Sequence, residues 1–347
     1  MAKAPTTVVG VDLGRFALKS VLLQRRGADR FILTNYASQP LEEPIETADQ
    51  LSRELRSLFK QLGGSTKVCG IGISSPDALI RIIDQPDTPT DLLREALRLN
   101  GMALLNQDCR DFVLDCDRIE ECDAAPAPEQ GVPPRHRYLV GGLPRAEVAQ
   151  VASAFESSNA GISAMQLAPI CAFNAFEFAQ PEIFNNEAFF LVDIGHASST
   201  MMVGVKRELV LVRTIDFGGR MLLEALTALS GEPRERVLEA LDQEDELMVE
   251  NTRMALMVLS REIGSSIGFF EGRREETISR VFVSGGPAKS KTLLKVMSEE
   301  VHMPCEAWNA LGGCEIALPA AQREQFMIDA ADLNVACGAA AELLTAE

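Results

Sequence analysis

The sequence has no Cys-x-x-Cys pair among its eight cysteines, and their spacings match no zinc-ligand pattern. A disulfide framework and a structural zinc site are thereby set aside, and the thiols are expected to be reduced, mostly small core residues. Nor does any stretch reach the roughly 18 to 20 apolar residues that a membrane-spanning helix needs. Met1 to Pro5 lead straight into a short strand pattern with no secretory signal, so a cytoplasmic chain is expected. Positive charge is scarce: 33 Lys and Arg stand against 50 Asp and Glu, a net charge of -17, which disfavours nucleic-acid backbones and anionic lipid as partners. What is present, 46% apolar and 24% charged residues, can bury a core and argues against disorder. At 347 residues the chain outgrows one hydrophobic core, and two domains of roughly 150 residues each are expected.

Two segments about half the chain apart repeat one pattern. Val8 to Leu13 is an apolar run ending in Asp12-Leu13-Gly14, and Ala17 to Leu23 follows as a return strand. The second copy is Phe189 to Ile194, ending in Asp193-Ile194-Gly195, then His196 to Thr200 and the strand Met201 to Val205. In each copy a polar residue, Lys19 or Thr200, stands seven positions past the Asp. A glycine-bearing hairpin lets backbone N–H groups converge without a Cβ in the way, making a concave seat for phosphate oxygens. Two such seats facing each other predict a nucleotide cleft, with Asp12 and Asp193 placed to hold Mg²⁺ through water. A third element, the strand Arg280 to Val283 followed by Ser284-Gly285-Gly286 and a helix from Lys291 to Val301, adds a tight turn of the kind that seats an anion or adenosine. Before it, Leu256, Leu259, Ile263, Ile267 and Phe270 form one helix face that should pack on the second sheet.

This order of hairpin, insertion, hairpin, long helix, glycine turn and terminal helix resembles the actin-like ATPase superfamily. Within it the chain is most similar to the PilM family of type IV pilus assembly proteins. Val11 to Gly14 with Lys19, Val192 to Gly195 with Ser198, Ser199 and Thr200, Phe217-Gly218-Gly219, Arg261-Glu262-Ile263 and the segment Leu139 to Gly142 carry the likeness. The resemblance implies an α/β fold of two lobes, each a five-stranded mixed sheet with a duplicated ribonuclease-H-like core. Lobe I would span 1–187, with a peripheral subdomain at about 80–165 shared by PilM and FtsA. Lobe II would span 188–347, with a helical subdomain at about 222–275 and a C-terminal helix at about 333–345 returning to the cleft. It further implies ATP and Mg²⁺ as cofactors, at most slow ATP hydrolysis, and an adaptor role. The implied partner is the cytoplasmic tail of a PilN-like bitopic inner-membrane protein, which would keep the chain cytoplasmic at that membrane; self-association is a further possibility. The residues carried over to nucleotide are Asp12, Gly14, Lys19, Asp193, Gly195, Ser198, Ser199, Thr200, Gly219, Arg261, Ser284, Gly285 and Gly286, with Asp12 and Asp193 as the Mg²⁺ pair.

One departure opens an alternative. Where PilM-like first hairpins place small hydroxyl residues, this chain has Arg15-Phe16-Ala17. Phe16 in the phosphate seat would make the chain a scaffold of actin-like shape without nucleotide. His196 is expected to be a solvated loop histidine, and Asp77 in Ser75-Pro76-Asp77 a turn residue rather than a sugar-kinase base. An FtsA-like filament protein would need a basic, aromatic terminal helix, whereas Asn334 to Glu347 is alanine-rich and acidic. Gly338 in that helix signals close packing. The proline-bearing stretch Ala124 to Pro134 is expected to be a mobile loop, and the acidic run Asp242 to Glu246 a solvated face.

Overall fold

The computed structural model describes residues 5–27, 30–64, 66–119, 135–241, 243 and 246–345. The stretch Ala124 to Pro134, and most of the run Asp242 to Glu246, lie outside the described residues.

The first half opens with the meander β1 (Thr7–Leu13), β2 (Ala17–Arg26) and β3 (Arg30–Pro40), then α1 (Ala48–Leu62) and β4 (Cys69–Ile73). Next come β5 (Leu79–Pro86), α2 (Thr90–Leu105), β6 (Phe112–Ile119), β7 (Arg135–Pro144) and α3 (Arg145–Ser157), followed by β8 (Ile162–Leu167), α4 (Ala168–Ala179) and α5 (Pro181–Asn186). The second half repeats the meander as β9 (Ala188–Ile194), β10 (Ser199–Val205) and β11 (Glu208–Ile215). Three helices follow, α6 (Gly219–Ser230), α7 (Arg234–Ala240) and α8 (Glu246–Glu271), and then β12 (Val281–Ser284), α9 (Lys291–Val301) and β13 (Cys305–Ala307). The chain closes with β14 (Glu315–Ile316), α10 (Ala320–Asp329) and α11 (Asn334–Thr345).

Three sheets result. The first runs β14-β3-β2-β1-β4-β8, the second β11-β10-β9-β12-β13, and a small antiparallel one β5-β7-β6. β1 and β9 are buried along nearly their whole length, as central strands covered on both faces must be, and their near-continuous apolar sequences follow from that. The first sheet has six strands where five are expected. The sixth, β14, is two residues paired in parallel with β3, too short to write a period into the sequence. Helix α2 is kinked at Asn100, where the backbone leaves helical geometry, and is capped by Asn106 at φ 54°.

The segment 79–157 holds the three-stranded sheet with Leu93 and Leu97 of α2 in a core of its own around Tyr138 and Val140. The larger core does not respect the midpoint of the chain. Phe176 of α4 lies 4.6 Å from Phe189, 4.7 Å from Phe282 and 5.2 Å from Trp308, ring centre to ring centre. Helix α11, last in sequence, packs on β1, β4 and α4 of the first half. That approach depends on missing side chains: a Cβ on Gly10 would meet the Ala336 carbonyl oxygen at 1.8 Å, and one on Gly338 the Cys171 carbonyl oxygen at 1.8 Å. Gly338 thus packs closely, as its place in a terminal helix suggests. Among the described residues no helix is long and apolar enough to cross a membrane.

Candidate functional site

The sequence echo is an echo of register. Asp12 faces Lys19 across the β1–β2 pair, and Asp193 faces Thr200 across β9–β10. Each Asp therefore stands on the last turn of pleat before its bend, Gly14–Phe16 or Gly195–Ser198. In the second bend the Gly195 N–H donates to the Ser198 carbonyl at 3.0 Å. Among the described residues no hydrogen bond engages the N–H groups of Arg15, Phe16, His196 or Ala197. Such unengaged, successive backbone donors are what an anion seat requires.

Both bends open on one cleft of about 680 Å³, within the size range of small-molecule sites. Of the residues expected there, Asp12, Gly14, Lys19, Asp193, Gly195, Ser198, Thr200, Gly219, Gly285 and Gly286 line it. Three do not. Ser199 is buried and donates to the Phe217 carbonyl at 2.6 Å. Ser284, beside Asp193 in the β9–β12 register, donates to Asp193 Oδ1 at 2.7 Å. Both brace the site from behind. Arg261 stands on the solvent face of α8 with its side chain 72% exposed, next to Glu262, away from the cleft wall. Gly219 lines the cleft, but its N–H is spent on the Gly195 carbonyl at 2.8 Å, so it holds the second bend in shape. Gly285, at φ 89°, is required: a Cβ there would sit 2.1 Å from the Ile194 carbonyl oxygen.

The floor of the cleft is a charge network that the sequence pattern only half reveals. Lys19 Nζ lies 2.7 Å from Asp332 Oδ1 and 3.4 Å from Asp12 Oδ2. Lys289 spans Asp329 at 2.9 Å and Asp332 at 3.6 Å. Burial pushes the Asp12 carboxyl up to about 6; Lys19 opposes that rise, and Asp193 and Asp332 add to it. Burial likewise raises Asp193, against the pull of the Ser284 hydrogen bond and Lys19. Although burial pulls the Lys19 ammonium down, Asp12 and Asp332 together hold it above its ordinary value. Asp332, Lys289 and Asp329 carried no signal in the sequence: Asp329 and Asp332 flank the turn before α11, Lys289 ends the short turn after β12, and only tertiary packing brings them together beside Lys19.

At the rim, the rings of Phe16 and His196 meet with centroids 3.8 Å apart and planes tilted by 31°. His196 is exposed to solvent, as expected of a loop histidine, yet it has a partner on the opposite bend. Partial burial, then the Arg220 and Arg234 guanidiniums, hold its imidazole below the ordinary value. Asp77 is exposed, and its N–H donates to Ser75 Oγ, which in turn donates to Glu147 Oε2 at 2.7 Å. It is a turn residue.

Do these groups fit Mg²⁺ with a phosphate chain? Asp12 Oδ1 is buried with no hydrogen-bond partner, and a second carboxylate, Asp193, is electrostatically coupled to Asp12. A cation would satisfy that orphaned oxygen and relieve the repulsion. The described residues contain no cluster of three or more His, Cys, Asp or Glu that would bind a metal by itself. The fit is therefore to a hydrated ion arriving with phosphates.

The description of the type IV pilus assembly protein PilM matches residues 10–343. The chain belongs to the PilM family. Among solved structures, one titled a PilM-PilN type IV pilus biogenesis complex superposes with a TM-score of 0.79 at 19% identity, covering 98% of this chain and 99% of that one. Ethanolamine utilization protein EutJ from Carboxydothermus hydrogenoformans gives 0.53 at 14% identity, with 99% and 92% covered. At such identities the likeness establishes the fold, which is the actin-like ATPase fold that the duplicated hairpins imply. No curated protein matches the sequence.

Proposed function

We propose that this PilM-family chain is a nucleotide-binding adaptor of type IV pilus or related secretion assembly. ATP with Mg²⁺ would lie between lobe I, residues 1–187, and lobe II, residues 188–347. One observation carries the reading: two Asp-x-Gly bends from the two sheets present unengaged N–H groups to a single cleft whose acidic floor holds an orphaned carboxylate oxygen. The bends would bind phosphate oxygens, with Ser198 and Thr200 adding hydroxyl donors. Asp12 and Asp193 would orient the water shell of the ion. When bound, Mg²⁺ supplies neutralisation of phosphate charge. Lys19 would exchange part of its contact with Asp332 for phosphate. No side chain in this scheme is assigned as a general base, and hydrolysis is expected to be slow at most.

The partner in this reading is the cytoplasmic tail of a PilN-like bitopic inner-membrane protein, lying in the groove between residues 80–115 and 135–175. That tail would hold the chain in the cytoplasm against the inner membrane. Two contacts support coupling of groove to cleft. Ser75 on the cleft wall bonds Glu147 at the start of α3, and Arg137 of β7 donates to the Val210 carbonyl of β11 at 2.8 Å. A nucleotide that prefers one arrangement of lobes would thereby bias the groove; equal affinity for both would shift nothing.

A scaffold without nucleotide is the second reading, favoured by the Phe16–His196 contact and by the pairing of Lys19 with Asp332. Isothermal titration with ATP and Mg²⁺ separates the two. Saturable heat that Asp193→Ala weakens at least tenfold supports the adaptor, and no heat at millimolar ligand supports the scaffold.

A further inference from the structure

Phe16 and His196 are the only residues of the two bends whose side chains touch one another among the described ring contacts, and they come from opposite halves of the duplicated fold. Phe16 is half-buried at the tip of the β1–β2 bend, and His196 stands at the tip of the β9–β10 bend. A centroid separation of 3.8 Å is van der Waals contact for carbon atoms, so nothing fits between the rings. Yet the backbone N–H groups of these same two residues are among the unengaged donors that make each bend an anion seat. The residues that would grip a phosphate from either side are therefore the ones whose side chains tie the bends together.

We infer that Phe16 and His196 form a clasp that joins the two bends without nucleotide, and that an entering nucleotide phosphate has to part it. This rests on the nucleotide reading of the cleft. The clasp makes Phe16 a residue that sets affinity: ligand binds the parted form, and its apparent affinity is reduced by the fraction of molecules parted. The ring planes are tilted by 31°, between parallel and edge-on, and aromatic pairs in contact add stability beyond their buried area. Removing such a pair should strengthen nucleotide binding by a factor of about 2 to 12, the Boltzmann equivalent of the usual aromatic-pair energies. The contact also explains how a bulky residue is accommodated where the PilM-like pattern has small hydroxyl residues: its ring is turned onto a partner instead of standing free.

The test titrates ATP with Mg²⁺ into the full chain as wild type, Phe16→Ala, Phe16→Leu, His196→Ala and the Phe16→Ala/His196→Ala double variant. Urea unfolding of each ligand-free protein confirms folding and supplies a double-mutant cycle. The clasp predicts tighter binding in both alanine variants, a double variant no tighter than either single one, and a non-zero coupling in ligand-free stability. Phe16→Leu, which keeps bulk but loses the aromatic ring, should lie between wild type and Phe16→Ala. Binding of equal or lower affinity in all variants, with wild type binding normally, overturns the clasp and leaves the nucleotide cleft standing. Absence of binding in every variant, whatever the stability coupling, overturns the nucleotide reading and the gating role together.

Discussion

A carboxyl that is 5% exposed, has one orphaned oxygen and is pushed up to about 6 by burial is a cost to the fold that Lys19 offsets only in part. Asp12 is such a residue, and Asp12→Asn should expose the cost. The native state holds the proton up to about 6 and the unfolded chain releases it near 3.8. Wild-type stability therefore falls as pH rises through that window. The Asn variant should lack this slope and be more stable above pH 7 by up to about 3 kcal/mol, the equivalent of a shift of about two pKa units, while losing affinity for ATP with Mg²⁺. Urea denaturation at several pH values measures the first, and titration the second. An unchanged slope would mean that Lys19 neutralises Asp12 fully. At this scale the sequence was legible where a residue sits in a repeated register. Asp12, Asp193, Lys19 and Thr200 could be paired because the same offset occurs twice. Asp332, Lys289 and Asp329 could not, since Asp332 meets Lys19 from the other end of the chain and Lys289 meets both aspartates across the intervening helices and strands, and no local pattern encodes a contact made by tertiary packing. Arg261 stands off the cleft wall because it shares a helix with the core face of α8, and a one-residue step around a helix turns a side chain from core to solvent.

Among the elements, α11 matters most to the cleft, because the turn that carries Asp332 leads directly into it. Gly338→Ala drives a methyl into the Cys171 carbonyl and should destabilise the protein by about 3 kcal/mol or more, as overpacking of a tight core does. It should also displace Asp332 and so weaken nucleotide binding. Gly264, on the exposed face of α8, has nothing within 4 Å of a built Cβ. Gly264→Ala should therefore stabilise by about 0.5–1 kcal/mol through helix propensity alone. Thermal melts of the two variants give opposite signs, and a matching loss in both would show that the tight seat of α11 is not the cause. Elements with a period or a glycine signal, β1, β2, β9, β10, β12 and α9, could be read directly from the chain. β14 could not, for its two residues acquire strand geometry only by pairing with β3.

On the scale of the whole molecule, the two halves of the chain are not two independent cores. Residues of the first half, such as Val8, Cys171 and Phe176, share one buried cluster with Phe282, Trp308 and Ala336 of the second. A fragment of residues 1–187 would leave bare the faces of β1, β4 and α4 that α11 covers. It is expected to be insoluble or molten by circular dichroism, and co-expressed residues 188–347 should restore a folded, non-covalent complex. Independent cooperative folding of 1–187 would contradict the shared core. The midpoint division drawn from the repeat marks where the pattern restarts; the last thirty or so residues nevertheless complete the sheet where the chain began.

The small sheet β5-β7-β6 rests against the edge of the second sheet through Arg137 and the Val210 carbonyl, while its root grows out of the first. Anything pulling on that outrigger loads β11 as well as its own hinge, and β11 is hydrogen-bonded to the strand that carries Ser199 and Thr200. Tension applied from outside would thus reach the second bend along a hydrogen-bonded ladder, so a mechanical load on this appendage is itself an input to the cleft.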